Sequence, residues 1–114
     1  MEITLLGTGS PLPDPRRGGP ATLVRAGGQT ILVDAGRAVV MRLAGAGTLP
    51  VLLNAVLITH LHSDHITDLN DVITSHWVMT GIETPLNVYG PPGTQTVVDG
   101  ILMMLAPDIS YRLA

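Results

Sequence analysis

His60-Leu61-His62-Ser63-Asp64-His65, HLHSDH, holds three of the chain's four histidines and one of its seven aspartates within six positions. Neutral imidazole nitrogens and carboxylate oxygens are good donors to divalent zinc. Two histidines one residue apart on extended backbone point to the same side, so His60 and His62 can share one ion. Asp64 and His65 can then reach a second. A purely structural histidine cluster is the weaker reading of a motif this dense in donors.

The flanking sequence sets the motif in a fold. Between Asn54 and Thr59 runs an apolar stretch, Ala55, Val56, Leu57 and Ile58, which suits a strand buried on both faces. After the motif, Leu69, Val72, Ile73, His76 and Trp77 recur at helical spacing up to Gly81. The donors therefore lie on a loop between a buried strand and an amphipathic helix. Binding sites in layered α/β proteins commonly occupy this place, at the carboxyl ends of strands.

The rest of the chain reads as one α/β unit built on one sheet, without repeats or interdomain linkers. Strands are expected over Met1–Leu6, Ala21–Ala26 and Gln29–Val33, the last two joined as a hairpin at Gly27-Gly28, with a further strand over Leu86–Tyr89. Helices are expected over Arg37–Ala46, Asp68–Thr80 and Thr94–Leu105, the last ending before Pro107. A new extended segment is expected over Asp108–Ala114.

With these residues in view, the chain resembles the metallo-β-lactamase-fold hydrolases, and among them the ribonuclease Z branch. HLHSDH matches the motif of the superfamily. The branch is resembled in the strand Met1–Leu6 running directly into Gly7-Thr8-Gly9-Ser10-Pro11, in ILVDAG at 31–36 and in VYGPPGT at 88–94. The resemblance implies the N-terminal half of an αββα sandwich, with residues 1–114 forming part of a domain about twice as long. It also implies two zinc ions, His60 and His62 on one and Asp64 and His65 on the other. Asp64 would in addition accept the attacking water's proton. A further histidine, a bridging aspartate and a final histidine would come from the second half. The implied substrate is precursor tRNA, cut to release its 3′ trailer, and the implied assembly is a homodimer.

Ser63, where that branch more often has glycine, and residues 13–22, PDPRRGGPAT, depart from its pattern. Two alternatives follow: a hydrolase of the same fold acting on a small phosphodiester, sulfate ester or thioester, and a non-catalytic, partner-dependent binding module of 114 residues.

Composition narrows the setting. Hydrophobic residues make up 46% of the chain, yet no run approaches the roughly 18 apolar residues of a membrane span, and the opening Met1-Glu2-Ile3 is not a basic signal peptide. A soluble, cytoplasmic protein is expected. Cysteine is absent, so any metal ligands are nitrogen and oxygen. A formal charge of −3, with six arginines and no lysine, gives no broad basic face for a phosphate backbone. Arg16-Arg17 is the one basic pair, read as a solvated loop.

Three lesser features complete the reading. Gly7-Thr8-Gly9-Ser10 is not a nucleotide loop, because Leu12 stands where a dinucleotide fingerprint needs glycine and no Gly-Lys-Ser/Thr follows. Asp34 is either a helix cap or an acceptor steadying a ligating imidazole. His76, on the apolar stripe of its helix, is expected to be a hydrogen-bonded core histidine.

Overall fold

The structure is a computed structural model describing residues 1–80 and 85–114, so Gly81, the limit of the helical spacing after the motif, lies outside the described residues. Five strands form one mixed sheet in the order of the chain: β1 (Glu2–Gly7), β2 (Ala21–Ala26), β3 (Gln29–Val33), β4 (Ala55–Leu57) and β5 (Val88–Tyr89). The first three are antiparallel neighbours, and β3, β4 and β5 run parallel. Gly27 and Gly28 turn β2 into β3 with φ of 56° and 77°. That pair of positive angles is what a two-residue turn matched to the strands' twist requires.

Side-chain alternation gives the sheet two unlike faces. Leu23, Leu32, Val56 and Val88 are paired across four strands, and the first three are fully buried. Helices α1 (Val39–Gly45) and α3 (Leu69–Thr80) close over this row, bringing Val39, Leu43, Leu69 and Val72 into one core. On the other face the row Leu5, Thr22, Val33, Leu57 and Tyr89 stands open, with Leu5 67% and Leu57 38% exposed. The expectation that β4 is buried on both faces is therefore corrected. Val56 and Ile58 are buried and Leu57 is not, because no described element covers that side.

The helices also adjust the sequence reading. A short α2 (Ser63–Ile66) interrupts the expected loop. The first long helix starts at Val39, not Arg37, because Ala38 takes a φ of 70° and its N–H donates to the Asp68 carboxylate. The last, α4 (Thr94–Leu113), passes through Pro107 without ending, so Asp108–Ala114 is not a new extended segment. Pro107 deprives the Met103 carbonyl of its helical donor, but Met103 is 78% exposed and water can serve there. An Asp108–Arg112 ion pair of 2.9 Å, one turn apart, supports the helix beyond it.

Candidate metal centre

Two parallel strands deliver the site from their carboxyl ends. Where β3 ends, Asp34 enters the left-handed region with φ 64°, and its N–H donates to the Leu57 carbonyl at 2.8 Å. Aspartate is among the few side chains that tolerate this backbone. The turn it makes is held to α2, the Ala35 N–H donating to the His65 carbonyl at 2.8 Å. Gly36 allows the turn to press against the preceding loop, since a Cβ there would lie 2.4 Å from the Gly19 carbonyl carbon.

Where β4 ends, Ile58 still bonds β5 through its N–H to the Tyr89 carbonyl, and the next N–H, that of Thr59, turns to Asp34 Oδ1 at 2.8 Å. His60 follows, and His62 remains extended at φ −62°, ψ 144°. The chain then coils into α2, which carries Asp64 and His65. All four sequence-identified residues meet here, with Pro11 and Ser63, around an open cleft of about 400 Å³. A roomier apolar groove of about 560 Å³ lies beside α3 and α4, but among the described residues it has no comparable cluster of donors.

The cluster is compact. The His60 ring lies 4.8 Å from that of His62, edge to face, and 4.0 Å from that of His65. His65 Nδ1 is 2.7 Å from Asp34 Oδ2, which leaves Nε2 to face the cleft, 3.8 Å from Asp64 Oδ2. Zinc bonds to nitrogen and carboxylate oxygen are each about 2.0–2.2 Å, so two donors 3.8 Å apart lie within reach of one ion. Among the described residues no group of three or more side chains is arranged to hold a metal by itself. The donors thus fit a metal as an open, partial set.

Asp34 resolves as an acceptor and not as a helix cap. Its carboxylate, in a residue 6% exposed, takes hydrogen bonds from Thr59 N–H, from the Thr59 hydroxyl and from His65 Nδ1. Thr59 itself was not singled out by its sequence; its only signal is a hydroxyl directly before His60. His76 stands apart from the cluster, buried in α3 with Nδ1 3.0 Å from the Pro50 carbonyl oxygen, as a core histidine should be. Arg16 is solvated as expected and grips Asp14. Its side-chain hydrogen bond, then its backbone N–H, hold that carboxyl below the usual range.

Comparison with known proteins agrees with this geometry. Residues 1–96 match the family model described as Anti-Pycsar protein Apyc1. Over 116 aligned residues the chain is 57% identical to a ribonuclease Z of Mycobacterium marinum, with all of this chain and 42% of that protein covered. The crystal structure of human tRNase Z, short form, superposes with a TM-score of 0.79 at 30% identity, over 95% of this chain and 39% of that one. The metallo-β-lactamase fold protein YhfI of Bacillus subtilis gives 0.69 at 30% identity, over 77% and 35%. The chain spans about 40% of the length of the curated relatives it matches. It belongs to the family described as Anti-Pycsar protein Apyc1 and carries the N-terminal part of the metallo-β-lactamase fold.

Proposed function

We propose that the full-length protein is a zinc-dependent phosphodiester hydrolase that removes the 3′ trailer from precursor tRNA. One observation carries the reading: HLHSDH stands at the strand ends of a chain 57% identical throughout to a protein named ribonuclease Z. His60 and His62 would hold one ion, and Asp64 and His65 the other. Two ions held there would supply hydroxide from water near neutral pH and would offset charge gathering on the phosphoryl oxygens. Asp64, which lines the cleft, would also accept the proton of the attacking water. Asp34 holds His65 in one orientation, so that its Nε2 lone pair is presented without reorganisation.

The same proposal makes the full-length enzyme a cytoplasmic homodimer, with residues 1–114 as the N-terminal part of its single catalytic domain. Among the described residues no helix is long and apolar enough to cross a membrane. A second reading, hydrolysis of a small ester, is favoured by the net charge of −3 and the absence of lysine.

Turnover of precursor tRNA, a small aryl sulfate and a thioester by the full-length protein under the same conditions separates the two. A single cut at the base of the acceptor stem, leaving a 3′ hydroxyl and weakening as salt rises, supports the tRNA reading. Efficient turnover of the small esters with intact tRNA replaces it with the second.

A further inference from the structure

We infer that Thr59 is a positioning residue: its hydroxyl relays the buried Asp34 carboxylate to His60 and fixes that imidazole with its proton on Nδ1. The consequence for metal binding rests on the function proposed above; the proton arrangement does not.

The inference follows from counting one proton. Thr59 Oγ1 lies 3.0 Å from Asp34 Oδ1, 2.8 Å from Asp34 Oδ2 and 3.0 Å from His60 Nδ1. A hydroxyl has a single hydrogen to give and lone pairs to accept with. Bonds to a carboxylate are roughly twice as strong as those between neutral groups, and this side chain is only 8% exposed, so the hydrogen goes to Asp34. Oγ1 then offers His60 lone pairs alone, and His60 Nδ1 must bring the hydrogen to that contact. Its Nε2 is left as a bare donor. The opposite arrangement, favoured by a free histidine side chain in water, would put hydrogen on Nε2 and cancel it as a ligand.

His65 receives the same arrangement directly, because its Nδ1 faces Asp34 Oδ2 at 2.7 Å. One buried carboxylate therefore sets the protons of two imidazoles whose centroids are 4.0 Å apart, one by contact and one through Thr59. Asp34 governs both donor pairs, and Thr59 governs only that of His60. Removing the hydroxyl should act on one imidazole and spare the other.

The test is long-range ¹⁵N NMR on the full-length protein, freed of metal by a chelator and held at about pH 8. His60 and His65 should both carry hydrogen on Nδ1 in the unsubstituted protein. Thr59→Val, which keeps the branched shape, should move His60 towards the Nε2–H form and leave His65 unchanged, and Thr59→Ser should restore it. In a zinc titration Thr59→Val should weaken one of two binding steps by about tenfold or more, the scale at which partners of ligating histidines act. Hydrogen on His60 Nε2 in the unsubstituted protein overturns the inference without any variant. So does a His60 signal indifferent to Thr59→Val. A protein that binds no zinc, yet shows the expected proton positions, sinks the proposed function and leaves the relay standing.

Discussion

Nδ1 of His65 stands 2.7 Å from Oδ2 of Asp34, a residue 31 positions earlier that the fold brings to the same strand-end turn. The contact fixes both the ring's orientation and its hydrogen, and Asp34 meets it with a backbone in the left-handed region. Asp34→Asn keeps the shape but replaces one acceptor oxygen by an amide donor facing donors. Metal affinity of the full-length protein should fall about 10- to 100-fold, with the fold retained. Isothermal titration beside circular dichroism checks this, and unchanged affinity would show that His65 needs no such partner.

His76 should respond in the opposite way. It is 4% exposed in α3, and its Nδ1 bonds the Pro50 carbonyl of the short 3-10 helix over Pro50–Leu52. His76→Ala leaves a cavity and removes one of two contacts to that carbonyl, which keeps the Leu53 N–H at 3.1 Å, a loss of about 2 kcal/mol or more. Denaturant unfolding should show the loss while metal content stays unchanged. Normal stability with depleted metal would instead make His76 part of the site.

What the sequence discloses here depends on the range of the interaction. The Gly27-Gly28 hairpin, the strand before the motif and the core position of His76 follow from turn chemistry and periodicity within a few residues. Leu57 did not follow, because an apolar strand residue looks the same whether or not another layer covers it. Pro107 misled for a related reason: it breaks a helix only where the freed carbonyl has no substitute partner, and Met103 is at the surface. The four donors in HLHSDH were legible because they are contiguous. The links from Asp34 to His65 and to Thr59 span 31 and 25 residues, and only the paired ends of β3 and β4 bring them together.

The open sheet face should be measurable. Ile3, Leu5, Leu57 and Tyr89 line it, with Ile3 58% exposed. Residues 1–114 produced alone should bind an apolar dye and self-associate, as a contiguous uncovered apolar surface does. Replacing Ile3 and Leu5 together by threonine, which suits a strand, should reduce both effects. Dye fluorescence indifferent to this double change would place the sticky surface elsewhere.

Ala38 offers a stabilising change. Its φ of 70° costs an alanine about 1–2 kcal/mol relative to the right-handed region. Glycine relieves this at the expense of a more flexible unfolded chain, so Ala38→Gly should stabilise by about 0.5–1 kcal/mol. Thermal unfolding should shift up by a few degrees, and a downward shift would mean that the Asp68 bond to the Ala38 N–H depends on the methyl group's packing.

The metal content of the full-length protein, measured by elemental analysis for the unsubstituted form and for His62→Ala and Asp64→Ala, bears most directly on the site. Two zinc ions per chain are expected in the first. Each variant should lose most of one ion or both, together with activity, while its circular dichroism stays unchanged, because each removes one of a few direct ligands. Two zinc ions per chain in both variants would contradict the assignment of HLHSDH as the metal centre.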